Sequence, residues 1–97
     1  KARAGGLVLH DFYRIHSRVL DRVDLQKYNN SELRILRNSL LARYGLKFRD
    51  HTLTEIFDRM PWYHPSNIRE DEIYDEMMSE IERRNLQTIL NTERNRR

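Results

Sequence analysis

The 97-residue sequence contains no cysteine, only three glycines and two prolines, and no long hydrophobic run. Without cysteine, a disulfide framework and a thiolate metal site are both excluded, and the redox compartment stays undetermined. Without a run of about 18 apolar residues, no membrane span is predicted. A chain of this length forms one domain around a single core, so an active site inside a closed cavity is not expected.

Motifs of the common enzyme classes are also missing. No serine lies in a GxSxG or SxxK motif, and neither a glycine-rich phosphate loop nor an HExxH motif occurs. The four histidines have no metal-ligand spacing, so we expect solvated side chains at His10, His16, His51 and His64. We therefore predict a protein that is not an enzyme and that uses no cofactor and no metal.

Aromatic and charged residues are what the sequence does contain. Hydrophobic residues make up 38% of the chain, charged residues 34% and aromatic residues 9%, which is polar but sufficient for a folded domain. The apolar spacing of three and four predicts an all-α, compact single domain of about four helices with short loops. The predicted helices cover residues 10–20, 31–44, 52–60 and 70–90.

Helix boundary signals support this division. Asn30 or Ser31 is expected to cap the second helix, and Gly45 ends that helix in a left-handed conformation. A capping box at residues 52–55, or Asp50 instead, opens the third helix. The long last helix is expected to bury one apolar side, made of Ile73, Met77, Ile81 and Ile89.

The two ends of the chain lack the helical apolar spacing found in the middle. Residues 1–9 are expected to be an extended N-terminal arm or a remnant foreign to the native protein, and residues 91–97 a frayed basic tail. The helical domain itself is predicted to cover residues 10–90.

Two polar residues fall on predicted apolar helix faces. Arg37 lies between Leu33 and Leu41, and an arginine withdrawn from water needs a carboxylate partner. Asn85 and Glu82 lie on or beside the apolar side of the last helix. We predict an Arg37–Glu82 pair, with Asn38 or Asn85 bonded to backbone near a helix end. Since an arginine-paired carboxylate is a poor acid, this network is predicted to be structural.

Four motifs in order resemble the YARHG domain family. They are Leu33 with Leu36-Arg37-Asn38, then Leu41-Ala42-Arg43-Tyr44-Gly45 with Lys47-Phe48, then Leu53 with Phe57 and Pro61-Trp62-Tyr63, and Ile81-Glu82 with Asn85. The resemblance spans about residues 25–90. Leu41 and Tyr44 replace the Tyr and His of the signature, so histidine chemistry at position 44 is not expected; we expect Tyr44 to pack on the core side.

The resemblance implies a modest set of functional expectations. It implies an extracellular or cell-envelope bacterial module, periplasmic or secreted, found beside peptidases and protein kinases and without an established activity. Its partner is expected to be a protein or a cell-wall glycan.

The aromatic residues form either a core or a platform for a ligand. This set is Tyr44, Phe48, Phe57, Trp62 and Tyr63. Trp62 either closes a small core or presents a rigid face, and Tyr63 is expected to be exposed. Because the loop after Pro61 and the helix end are expected to meet around Gly45, the candidate binding surface is Arg43, Lys47, Arg49, Tyr63, His64 and Asn67.

Nucleic-acid binding is the alternative function. Arg14, Arg18 and Arg22 recur every four residues and would line one side of the first helix, and further arginines lie at the C-terminal end. The acidic residues of the last helix oppose a phosphate backbone, and no helix-turn-helix pattern occurs. We therefore predict a non-catalytic accessory recognition or scaffold module of an envelope or secreted protein.

Overall fold

Helices joined by loops make up residues 7–96, which are the residues described by the computed structural model. This part of the chain contains no β-strand, which confirms the all-α class, but it has six α-helices rather than about four. The radius of gyration is 12.7 Å, as expected for one compact domain of about 100 residues. The segments are α1 (Leu9–Ser17), α2 (Arg22–Leu25), α3 (Asn30–Ala42), α4 (His51–Asp58), α5 (Glu70–Glu72), a π-helical segment (Ile73–Met77) and α6 (Glu80–Asn95).

Short polar side chains fix the starts of the main helices. The Asn29 side chain accepts a hydrogen bond from the backbone of Glu32, so the observed cap lies one residue before Asn30, the first of the two predicted caps. Asp50, the alternative cap of the sequence analysis, accepts from the backbone of Leu53 and opens α4. Such caps satisfy backbone N–H groups that have no partner within the helix.

The first helix ends before its predicted boundary at residue 20, and a second short helix follows it. α1 ends at Ser17, the backbone at Arg18 is extended, and α2 begins only at Arg22. The predicted row of Arg14, Arg18 and Arg22 along one helix is therefore wrong. The Arg14 side chain is largely buried and lies 3.7 Å from Asp24, so it is withdrawn from any such row.

The predicted long helix is interrupted. After α5 the chain forms a π-helical segment, which the Met78 N–H closes by donating to the Ile73 carbonyl at 2.9 Å. The backbone at Met78 is extended, and Ser79 caps α6 by accepting from the Glu82 N–H. This wider turn shifts the apolar register, so Met78 is buried and Met77 is 43% exposed, contrary to the prediction.

The predicted tail is largely helical. α6 continues to Asn95, so residues 91–95 are not frayed, and Thr92 is buried. The Arg96 guanidinium donates to the carbonyl oxygens of Tyr28 and Leu25 at 2.6 and 3.3 Å. These polar contacts hold the end of α6 without apolar side chains, which is why the apolar pattern missed it. At the other end, Leu9 belongs to α1 rather than to an arm, and residues 1–6 lie outside the described part.

The core lies where α3, α6 and α1 pack on one another. α3 contributes Leu33, Leu36 and Leu40, spaced by three and four and without solvent exposure. α6 contributes Ile89, and α1 contributes Ile15. α6 therefore holds both other main helices and fixes their relative position.

Arg37 has an acidic partner, but the partner is not Glu82. Its Nε and Nη2 donate to the two carboxylate oxygens of Glu93 on α6, at 2.7 and 3.3 Å. The Arg37 side chain is 25% exposed and that of Glu93 is 12% exposed. The predicted Arg37–Glu82 pair is wrong because the last helix restarts at Glu80 and extends far enough to place Glu93 opposite α3.

The turn after α3 depends on Gly45. Its φ is +96°, a region that favours glycine, as the sequence predicted. The Gly45 carbonyl accepts from the Ser66 N–H at 2.8 Å, so the helix end and the loop meet there as expected. A Cβ atom at residue 45 would lie 2.9 Å from the backbone oxygen of His64. Both conformation and space therefore exclude a side chain.

We expect Gly45→Ala to lower the free energy of unfolding by roughly 1–2 kcal/mol, because alanine is disfavoured at positive φ and its Cβ meets a backbone atom. Urea titration followed by circular dichroism measures the change. His64→Ala is the matched control, since only the backbone of His64 contacts residue 45, and it should shift stability by less than about 0.5 kcal/mol. Equal effects of the two variants would contradict this account of the turn.

A double-mutant cycle separates the two candidate partners of Arg37. Because Arg37 and Glu93 form a two-point, partly buried ion pair, we expect a coupling energy of roughly 1 kcal/mol between Arg37→Ala and Glu93→Ala. The Arg37 and Glu82 substitutions, used as the control cycle, should be nearly additive. Chemical denaturation measures both cycles, and stronger coupling to Glu82 would refute the assignment.

Candidate functional site

A groove of about 360 Å³ lies between α1, the end of α3 and the loop after α4. Two of its lining side chains are large, apolar and exposed, with Leu9 at 65% and Tyr13 at 68%. Exposed apolar side chains gathered beside a cavity are typical of interaction sites. We call this cavity the α1–Trp62 groove; its lining residues are Leu9, Phe12, Tyr13, His16, Arg43 and Trp62.

One face of α1 forms a wall of the α1–Trp62 groove. Leu9, Phe12, Tyr13 and His16 follow the spacing i, i+3, i+4 and i+7, which places them on one helical face. Phe12 is buried, His16 is half-buried, and Leu9 and Tyr13 are exposed. This face of α1 therefore includes both side chains that pack on the core and side chains that are open to solvent.

Trp62 joins the groove to the aromatic core. It is half-buried, and its ring lies 6.2 Å from that of the fully buried Phe57, which in turn stacks on Phe48 at 5.1 Å. Trp62 therefore closes part of the core and also presents a face to the groove. Tyr63 is half-buried rather than exposed, because its ring packs 6.0 Å from Phe57 and its hydroxyl donates to the Leu46 carbonyl at 2.6 Å.

A buried carboxylate joins the elements beneath this groove. Glu82 of α6 is 2% exposed. Its Oε1 accepts from the Tyr44 hydroxyl at 2.6 Å and from the Ser79 N–H at 2.8 Å, and its Oε2 lies 2.6 Å from His16 Nδ1. These four residues, Glu82, Tyr44, Ser79 and His16, are called the Glu82 cluster. They connect α6 to α1 and to the turn after α3.

The hydrogen bonds of the Glu82 cluster decide its charge. Burial raises the pKa of Glu82, but the bonds from Tyr44, Ser79 and His16 outweigh burial and hold it below its usual range. Burial, reinforced by the Glu82 carboxylate, raises the pKa of Tyr44 to about 12. At neutral pH the cluster therefore contains an ionised carboxylate and a protonated phenol.

His16 is neutral in the same cluster. Burial is the largest cause that lowers its pKa, and the charge of Arg43 lowers it further against the opposing effect of Glu82. The ionised Glu82 carboxylate can only accept a hydrogen bond, so Nδ1 of the neutral His16 ring carries the proton. Nε2 of the same ring, which lines the groove, is then a hydrogen-bond acceptor. The structure thus holds one tautomer of this ring.

Arg43 places a positive charge in the groove. Its side chain is 51% exposed, and Glu82 is the only carboxylate within 4 Å of its guanidinium among residues 7–96. The separation is 3.9 Å, which is too long for a hydrogen bond. Because this separation allows no hydrogen bond to Glu82, the Arg43 guanidinium retains donors toward a ligand.

Asn85 fixes the end of the helix that forms the wall. Its side-chain oxygen accepts from the Leu20 N–H at 2.9 Å, and its amide nitrogen donates to the carbonyls of Ile15 and Arg18 at 2.8 Å. The sequence prediction that Asn85 bonds backbone near a helix end is confirmed. Asn38 instead donates to the Arg34 carbonyl within its own helix, at 2.8 Å.

The predicted binding surface is only partly joined to the groove. Of its six residues, Arg43 lines the groove. Lys47 donates to the Asn67 side chain at 2.9 Å, which bridges the α3 end and the loop. Arg49 and His64 are exposed and do not line the groove. The remaining predicted member, Tyr63, is the half-buried residue described above.

Sequence reasoning missed two members of the Glu82 cluster. His16 was expected in solvent, although its spacing of four from Phe12 places it at the border of an apolar face. Ser79 begins the pattern Ser-x-x-Glu, a capping box that indicates a helix start and the position of Glu82 within it. Tyr44 does pack inward, but its hydroxyl serves the buried carboxylate as well.

Other features of the described residues are weaker candidates. A second groove, of about 460 Å³, has apolar side chains and only acidic charged ones, Glu70, Asp71 and Asp75. Residues 7–96 contain no cluster of three or more His, Asp and Glu that could hold a metal ion. None of the described helices has the length and apolar character of a membrane span.

Comparison with known proteins gives one family match. A family model described as the YARHG domain matches residues 11–94, nearly the whole chain, so the resemblance seen in the motifs is confirmed. No curated protein and no solved structure matches the chain significantly.

Acid should destabilise this fold in two steps, because two groups of the Glu82 cluster bind protons more weakly when folded. His16 contributes stability that is present above its ordinary pKa of 6.5 and is lost as pH falls toward its lower folded pKa. The Glu82 contribution is present above 4.5 and is lost as pH falls through its folded pKa. Denaturant titrations at a series of pH values from about 3 to 8 measure both steps, because this range includes the ordinary pKa values of both groups.

His16→Gln is the control for the first step. The glutamine amide retains a donor toward Glu82 but has no titrating group. The variant should therefore lose stability only in the second step, in which Glu82 becomes protonated. A profile for this variant that matches the wild type as pH falls below 6.5 would contradict the assignment.

Proposed function

The chain belongs to the YARHG domain family, and from that premise we propose that it is a non-catalytic accessory recognition module. Its binding site is the α1–Trp62 groove, and its partner is a protein or a cell-wall glycan. The parent protein is placed in the bacterial cell envelope or among secreted proteins.

The exposed apolar wall of the groove is the observation that carries this proposal. Leu9 and Tyr13 expose about two thirds of their surfaces next to a half-buried tryptophan. Exposing such side chains to water is unfavourable, and a partner that covers them recovers the hydrophobic free energy. Tyrosine and tryptophan are also the residues most enriched at binding hot spots.

The support beneath the groove favours recognition over chemistry. The Glu82 cluster and Asn85 hold α1 in a fixed position, so the wall is preorganised and little entropy is lost on binding. The Glu82 carboxylate accepts hydrogen bonds from within the cluster, and the Arg43 guanidinium has only donors, so neither group is free to act as a general base. These groups serve to position a partner.

The alternative function, nucleic-acid binding, has lost its basis. It depended on a row of arginines along one helix, and α1 ends before Arg18. In addition, Arg14 is directed to Asp24, and three acidic residues rim the second groove.

Trp62 allows a direct test, because it is the single tryptophan of the chain and lines the groove. Soluble peptidoglycan fragments and peptides selected from a display library are titrated into the domain while tryptophan emission is recorded. We expect saturable binding of one of the two probe classes. Tyr13→Ala should weaken it by about tenfold or more, since truncating a hot-spot aromatic removes 1–2 kcal/mol or more.

Val23→Ala is the matched control for Tyr13→Ala. Val23 is 69% exposed, like Tyr13, but it belongs to α2 and does not line the groove. It should bind as the wild type does. The proposal is refuted if neither probe class changes Trp62 emission, or if the two substitutions weaken binding equally.

A further inference from the structure

The charges at the α1–Trp62 groove restrict what it can bind. Among its described lining residues no carboxylate occurs, and the two basic side chains are those of Arg43 and His16. Glu82, whose oxygens accept from Tyr44, Ser79 and His16, lies 3.9 Å from Arg43, which is too far to accept a hydrogen bond from the guanidinium, so the Arg43 donors on this side are left for an acceptor group of a ligand. A negative ligand group is therefore favoured next to Arg43.

The apolar part of the groove separates peptides from glycans. Leu9, Phe12 and Trp62 offer no hydrogen-bond partner for hydroxyl groups other than the indole N–H of Trp62, and the lining polar groups are confined to Tyr13, His16 and Arg43. A sugar ring that lost water here would leave most of its hydroxyls unsatisfied. An apolar side chain loses nothing of this kind and gains from burial.

We infer that the α1–Trp62 groove recognises a protein partner through a short acidic segment, in which a carboxylate of Asp or Glu flanks a large apolar side chain. The carboxylate binds the Arg43 guanidinium, which offers parallel N–H donors. The apolar side chain lies between Trp62 and Tyr13. This inference rests on the proposed recognition function and names the chemistry of the partner.

The size of the groove agrees with a short segment. Its volume of about 360 Å³ is at the lower end of ligand pockets, which suits one large side chain and one carboxylate rather than a long helix. Affinity is thus expected to depend on few contacts, with Arg43 supplying discrimination and the aromatic side chains supplying burial.

Two matched peptides test the inference. The first is a blocked peptide with one phenylalanine between two glutamates, and the second replaces both glutamates by glutamine. Trp62 emission and isothermal titration calorimetry give both affinities. We expect the acidic peptide to bind about tenfold more tightly or better at low salt, and this advantage should shrink as salt is added.

Substitutions at two arginines identify the group that reads the carboxylate. Arg43→Gln should remove the preference for the acidic peptide, and Arg43→Lys should restore part of it by returning the charge. Arg49→Gln is the control, because this exposed arginine does not line the groove, and it should keep the preference. The unfolding midpoint of each variant shows that the fold is retained.

Three results would overturn the inference: equal binding of the two peptides, an unchanged preference in Arg43→Gln, or tight binding of peptidoglycan fragments with no response to either peptide. The last result would leave the proposed recognition function standing while refuting the acidic peptide. Silence toward peptidoglycan fragments, the library peptides and this pair would refute both.

Discussion

The ionised carboxylate of Glu82 is the interaction on which the rest of the arrangement depends. A buried charge is costly unless donors surround it, and here the donors come from three separate parts of the chain. Tyr44 belongs to the turn after α3, His16 to α1 and Ser79 to the cap of α6. Because each donor is needed to satisfy the same carboxylate, the three parts cannot move independently.

The Glu82 cluster explains how so small a domain forms the α1–Trp62 groove. α1 is nine residues long, and an isolated helix of that length is not stable in water. Its end is held by Asn85, its middle by His16 and its apolar side by Phe12 and Ile15. The α1 wall of the groove is therefore held in place by its contacts with α6, although α1 alone has little helical stability.

Local signals in the sequence predicted local structure well. α3 and its end at Gly45 were predicted because the apolar period, the cap and the glycine all lie within a few residues. The break at Met78 was missed because the apolar period continues across it, although the Ser79 capping box recorded the restart. Periodicity alone does not distinguish one long helix from two with a shifted register.

Long-range pairing was less predictable. The position of Arg37 on an apolar face showed that it needs an acidic partner, but the partner, Glu93, lies 56 residues away, and its choice depends on where α6 begins and ends. For the same reason, the predicted binding surface contained Arg43 but not the α1 residues opposite it. Contacts between distant segments follow from packing, which single-residue patterns do not encode.

The contact between Trp62 and Phe57 links the interior of the domain to the shape of the α1–Trp62 groove. Phe57 has no solvent exposure, yet it supports the ring that closes one side of the cavity. A substitution there would tilt the indole and reshape the cavity without touching any ligand. Under the proposed recognition function, buried positions such as Phe57 help to decide what each relative of this domain binds, and comparison of surface residues alone would overlook them.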